Sequence, residues 1–315
     1  MFRALACPAS LKGVLSASAA AEALARGLRC GGADVDELPV ADGGEGTADV
    51  LFSALGGEWH EADVSDAYGR PRRGRWLVLP DGTAVVEVAE AIPLDPARLD
   101  PLGASSRGLG ELLHAALDGG ADALLVCLGG SATVDGGAGL LELFGGLRVP
   151  AQVAYDVATL LPDAPRLFGP QKGATEETIP VLERRLAELS ALAPFAALPG
   201  SGAAGGLGAA LAALGAELRS GAELVLETVG FDPSGYDLVV TGEGTVDRTT
   251  AEGKAPALVA RRCAAAGVRC IVFGGIVAEP LAGAETVALS GDPARAREDL
   301  AALGERLGHE LRGRY

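Results

Sequence analysis

The stretch Leu238-Val239-Val240-Thr241-Gly242-Glu243-Gly244-Thr245-Val246-Asp247 decides the fold. It opens as an apolar, β-branched strand over 238–241 and runs into glycines interleaved with carboxylates. A helix-forming stretch follows from about Pro256 to Ala266, then a strand over Cys270–Phe273 and a last helix from about Pro293 to Leu307. Strands alternating with helices in this way form a parallel sheet joined by right-handed crossovers. The other end of the chain has the same order. Residues 4–8 are a short apolar strand, Ser10-Leu11-Lys12-Gly13 a loop, and Ser16 the cap of an Ala-rich helix to about Arg29, stopped by Gly31-Gly32. Residues 34–40 then lead through Ala41-Asp42-Gly43-Gly44-Glu45-Gly46-Thr47 into a helix ending at Gly56-Gly57. The two ends therefore belong to one parallel sheet, and the middle of the chain is an insertion.

The middle reads differently. Residues 76–79 and 84–88 flank Pro80-Asp81-Gly82-Thr83, the pattern of an antiparallel hairpin. A change of domain is therefore expected near residue 62. Ser105-Ser106-Arg107-Gly108 opens a helix to about Leu117, 123–128 reads as a fully buried strand, 175–192 as an amphipathic helix capped by Thr175, and 205–214 as a short helix. The fold class is α/β: a discontinuous parallel-sheet domain over 1–62 and about 235–315, with a second mixed α/β domain inserted over about 63–234. Residues 104–147 fit either domain.

Composition excludes several functions. The chain has 315 residues, 49% hydrophobic and 22% charged, so it can bury a core. Its net charge of −16 repels nucleic acid and anionic lipid. No apolar run reaches the ~18–20 residues of a membrane-spanning helix, and the apolar stretch at the start is too short for a signal peptide. Cys7, Cys30, Cys127, Cys263 and Cys270 have neither disulfide-framework nor zinc-site spacing. The cytoplasm is the expected location.

Of 26 basic residues only Lys12, Lys172 and Lys254 are lysines, and all three lie in glycine-rich or turn-rich segments. A compact ammonium is suited to phosphate chemistry. Four segments, around Asp42–Thr47, Gly129–Gly139, Pro199–Gly208 and Thr241–Asp247, are rich in glycine. Glycines admit close ligand approach, and helix N-termini offer free N–H groups to anions, so four such loops favour a phosphate-bearing ligand. Asp42, Glu45, Asp135, Glu243 and Asp247 lie beside these glycines. Carboxylates suit Mg²⁺ and the orientation of an acceptor hydroxyl. Capping of a helix is the alternative, most of all for Asp135. Walker A and GxGxxG patterns are missing, as is GxSxG around Ser131. His60, His114 and His309 show no ligand spacing.

The strings over 41–47 (ADGGEGT), 129–139 (GGSATVDGGAG), 168–174 (FGPQKGA), 199–208 (PGSGAAGGLG) and 241–254 (TGEGTVDRTTAEGK) occur in order along the chain. Together they resemble the bacterial glycerate kinase family of two-domain α/β type. The resemblance implies a Rossmann-like parallel-sheet domain carrying an inserted second domain. It also implies ATP-dependent, Mg²⁺-assisted phosphorylation of D-glycerate, usually to 2-phosphoglycerate, by a monomer or homodimer that binds only these small molecules. It carries Lys12, Lys254, Asp247 and, as its rival, Asp135 over as catalytic residues. Gly129, Gly130, Ser131, Lys172, Gly205, Gly206, Gly242 and Gly244 become nucleotide contacts, and Asp42, Glu45 and Glu243 metal contacts. Val134 stands where the family usually has Asn. A kinase of another small hydroxy acid and an inactive glycerate or nucleotide sensor are the alternative readings.

Overall fold

The computed structural model describes residues 2–312. Its eleven strands are β1 Arg3–Ala6, β2 Asp34–Glu37, β3 Glu58–Ser65, β4 Pro71–Val78, β5 Thr83–Glu87, β6 Ala123–Cys127, β7 Ala151–Tyr155, β8 Glu217–Ser220, β9 Leu238–Val246, β10 Arg269–Val277 and β11 Glu285–Ala288. They form two sheets, in two compact units. The first unit takes the chain up to residue 42, then 49–54, and from 225 onward; the second takes 43–48 and 55–224.

The sheet of the first unit has the order β11-β10-β9-β1-β2 and is parallel throughout. Ala4 and Leu5 lie opposite Leu238 and Val239, so the first strand pairs with one more than 230 residues away. The helix Ala17–Cys30 forms where expected. Ser16 Oγ accepts from the Ala19 N–H at 3.2 Å, and Gly31 closes the helix. This helix packs along Ala296–Arg312. Gly27 and Gly304 mark the closest approach. A Cβ on Gly27 would collide with the Ala301 carbonyl, and one on Gly304 with the Leu24 carbonyl. Small residues at the seam let the two backbones touch.

The second sheet runs β3-β4-β5-β6-β7-β8. β3, β4 and β5 are antiparallel, and β5 to β8 are parallel. The hairpin appears as β4 and β5, with Val78 opposite Ala84. Its outer partner β3 begins at Glu58, so the chain enters the second unit ahead of the expected position near residue 62. The core is aliphatic, with Leu109, Leu112, Leu113, Leu124, Val126 and Leu140 fully or almost fully buried.

Two elements differ from expectation. The helix expected over 175–192 is Ile179–Glu188. Pro180 fixes the first turn there, since its missing N–H is tolerated only at a helix start. Thr175 therefore does not cap it; its hydroxyl instead donates to Glu177 at 2.6 Å. The second difference is β9, which continues through Gly242-Glu243-Gly244 to Val246 rather than ending at Thr241. Its pairing with β10 persists to Val246 opposite Val277. Among the described residues no helix is long and apolar enough to cross a membrane.

Candidate active site

In the first unit β1 and β9 are adjacent, but the chain leaves their carboxyl ends in opposite directions. From β1 it crosses to β2 and from β9 to β10. Ligand sites of parallel α/β sheets form at such a switch point. The segment after β1 makes a small loop closed by reciprocal Leu11–Leu15 backbone hydrogen bonds of 2.9 Å, with Lys12 and Gly13 at its tip. Lys12 is exposed. The backbone nitrogen of Lys12 lies 3.5 Å from where a Cβ on Gly244 would sit. Gly244 is thus an unfilled position between β9 and the lysine loop.

Glu243, on β9, is mostly buried. It accepts from Thr250 Oγ1 at 2.6 Å and from Lys254 Nζ at 3.2 Å. Burial raises its pKa above the ordinary carboxylate value; Thr250 and Lys254 oppose the rise, and the negative charge of Asp42 adds to it. Lys254 immediately precedes the helix Ala255–Ala266, in extended conformation at its N-cap. A cation at the positive end of a helix is unfavourable by itself. The Glu243 carboxylate offsets that cost and holds the ammonium at the carboxyl edge of the sheet. Asp247 caps the short helix Arg248–Ala251, accepting from the Thr249 N–H at 2.8 Å and the Thr249 hydroxyl at 2.6 Å. These donors hold its carboxyl below the ordinary value.

The second unit has its own cluster at the carboxyl ends of β5 and β6. Gly129 packs on Gly44, where a Cβ would come within 2.5 Å of the Gly44 Cα. A Cβ on Gly130 would lie 3.7 Å from the Glu45 carboxylate. The Gly44–Gly46 and Gly129–Ser131 turns are therefore in contact, with Glu45 exposed beside them. Lys172 is buried beneath. Its Nζ donates to Ser131 Oγ at 2.9 Å and to the Thr133 carbonyl at 2.8 Å. Burial lowers its pKa from 10.5 to about 8, against the opposing pull of Asp135 and Asp156.

The structure sorts the expected residues by what their atoms touch. Asp135 faces inward: it accepts from the Ser106 N–H at 2.8 Å, the Ser106 hydroxyl at 2.7 Å, and the Gly137 and Gly139 N–H groups at 3.0 and 3.3 Å. Asp135 and Asp247 thus both accept as caps, Asp135 from the Ser106 turn and two glycine amides and Asp247 from Thr249. Gly205 and Gly206 are buried in left-handed conformation, against Thr133 and Gly136, and Gly242 is buried against Phe273. These three glycines are sites of close backbone packing. Asp42 and Glu243 share the first unit, whereas Glu45 belongs to the second. Among the described residues no three His, Cys, Asp or Glu side chains come together as a metal cluster.

Sequence reasoning missed Glu87. It ends β5, is 5% exposed, and accepts from the Ala48 N–H at 2.7 Å and the Gly46 N–H at 3.1 Å. The signal was present: a charge between Val86 and Val88 in an apolar strand. Thr250 and Ser106 were missed with less signal, since their roles depend on partners distant in sequence or on a turn.

The family model for the glycerate kinase family matches residues 4–152 and 147–291. The chain belongs to the glycerate kinase family. It is 39% identical to a glycerate kinase of Bacillus subtilis, over 86% of this chain and 84% of that protein. It is 38% identical to a glycerate 2-kinase of Escherichia coli, over 80% of each. The crystal structure of a protein assigned as glycerate kinase 2 from Salmonella typhimurium LT2 superposes with a TM-score of 0.85 at 31% identity, covering 99% of this chain and 98% of that one. Val134 is fully buried.

Proposed function

We propose that the protein transfers the terminal phosphoryl group of ATP to D-glycerate, giving 2-phosphoglycerate, in the cytoplasm. The observation that carries the reading is the Lys254–Glu243 pair beside the Lys12 loop at the β1/β9 switch point of a glycerate kinase family member. The donor chemistry of each unit fits Mg²⁺·ATP: Asp42 and Glu243 in the first and Glu45 in the second carry hard carboxylate oxygens, and Mg²⁺ takes only one or two carboxylates besides water and phosphate. When bound, Mg²⁺ would neutralise phosphate charge.

Lys12 and Lys254 act on the anionic substrates as point charges. Lys12 is free to move towards a phosphate or carboxylate, and Lys254 is prealigned by Glu243. Phosphoryl transfer leaves little covalent work to the protein, so prealigned charge is the main contribution. Asp247 orients the acceptor hydroxyl. Its low pKa makes it a hydrogen-bond acceptor rather than a strong base, which suffices for a loose transition state. In the second unit Gly129, Gly130 and Ser131 offer backbone and hydroxyl groups, and Lys172 acts from beneath through Ser131.

The test is ADP release from Mg·ATP with and without D-glycerate, with the product read by phosphorus NMR. A glycerate-dependent 2-phosphoglycerate signal is the expected result. Turnover only with another member of a hydroxy-acid panel would replace glycerate as acceptor. No turnover with any acceptor in folded protein would reject the reading.

A further inference from the structure

We propose that Glu87 is a positioning residue that sets Glu45 for the nucleotide-bound cation; the inference rests on the kinase reading above. The helix Thr47–Leu55 begins directly after the Asp42–Gly46 turn, and the first N–H groups of a helix have no partner within it. In a phosphate-binding loop the ligand fills that place. Here a side chain of the protein fills it. The buried Glu87 carboxylate takes the Gly46 and Ala48 N–H groups, one on each oxygen. The Thr47 hydroxyl donates to the Gly44 carbonyl at 2.7 Å and closes the same turn from the other side. Both hydrogen bonds to Glu87 fall within three residues of Glu45, whose own side chain is exposed.

The site is built for rigidity. Glu87 pairs with Cys127 across β5 and β6, and the Gly129–Ser131 turn starts two residues further on. The same strand ends thus support both turns that meet at Gly44 and Gly129. The carboxylate lies at the positive end of a helix, where negative charge is stabilised. It also closes this helix start to phosphate. The Gly46 and Ala48 amides are thus held by Glu87, and Glu45 is the exposed charge of the turn.

The test uses Glu87→Gln and Glu87→Asp in the full chain. Glutamine keeps the shape but loses charge and one acceptor; aspartate keeps the charge but shortens the reach. Loss of an outer residue that orients a metal ligand typically costs ~10–100-fold. Glu87→Gln should raise the Mg²⁺ concentration for half-maximal turnover by about that factor, with Glu87→Asp between it and wild type. Amide hydrogen exchange over residues 43–48 should speed up in Glu87→Gln while the β6 and β7 segments stay protected. In a Glu45→Ala background, Glu87→Gln should add little further loss. An unchanged Mg²⁺ requirement, fully additive losses, or collapse of both variants would assign Glu87 to the fold alone and overturn the proposal. Wild-type protein without turnover would reject the kinase reading instead, and the exchange result would still report on the turn.

Discussion

The ammonium of Lys172 donates to the hydroxyl of Ser131 across 2.9 Å, and both residues are buried. A pH dependence with opposed signs follows. Burial pulls the Lys172 pKa down from 10.5 to about 8. Between those values the unfolded chain holds a proton that the folded chain has released, so this group's contribution to stability rises with pH. Below about pH 8 the cost of burying the charge is present in full. Turnover should move the other way, falling above about pH 8 as the ammonium is lost. Urea unfolding of wild type and Lys172→Met from about pH 7 to pH 10.5 checks the first part. The difference between the two should shift in favour of wild type with rising pH; a flat difference would refute it.

Lys254→Ala should lower kcat by roughly 10²–10³, the cost of losing one prealigned charge donor at a transition state. It should also move the acid limb of the pH profile upward. Lys254 holds the raised pKa of Glu243 down, so without it Glu243 gains its proton at higher pH. A variant whose acid limb coincides with that of wild type would show that the pair is uncoupled in solution.

Asp135 and Asp247 separate by the kind of damage. Asp135→Asn disturbs four inward hydrogen bonds and should cost roughly 1–3 kcal/mol in denaturant unfolding. Its turnover per folded molecule should change little. Asp247→Asn keeps a good helix cap, so stability should hold within about 0.5 kcal/mol, while kcat falls at least about tenfold. Interchanged outcomes would exchange the two roles.

Gly205→Ala tests the packing reading of the third glycine segment. The backbone there is left-handed, φ +71°, and a Cβ would collide with the Thr133 carbonyl that receives the Lys172 ammonium. The expected loss is more than about 2 kcal/mol, with disturbed kinetics, since the same carbonyl helps hold Lys172. A variant that unfolds at the wild-type denaturant concentration would contradict this contact.

Much of this was legible in the sequence. Ser16 and Gly31 bounded their helix, and the alternation of strand and helix at both ends placed β1 and β9 in one sheet. Rarity marked Lys172 and Lys254, and both have carboxylate or hydroxyl partners. What glycine could not reveal was which of its two uses applied. Gly242 and Gly205 serve close packing, and Gly244 leaves space beside Lys12. The distinction depends on Phe273 and Thr133, which no local window contains. Glu87 was hidden for the same reason: its partners lie about forty residues earlier. The helix expected over 175–192 came out shorter because its start is set by Pro180 rather than by Thr175.

The pairing of β1 with β9 has a consequence for biosynthesis. The chain emerges from the ribosome amino end first, and residues 3–6, which meet β2 early, reach their second sheet neighbour β9 only after residue 238 has been made. The helix Ala17–Cys30 waits longer still, because its glycine seam is completed by Ala296–Arg312. Residues 55–224 have all their strand partners by then, so the inserted unit can complete during translation while the surrounding one cannot. Ribosome-arrested chains ending near residue 260 should accordingly resist protease across β3 to β8 and be cut within the first thirty residues. The order in which the two units mature is thus written into the strand order of a single sheet, and slow codons near residue 230 would lengthen the interval between them.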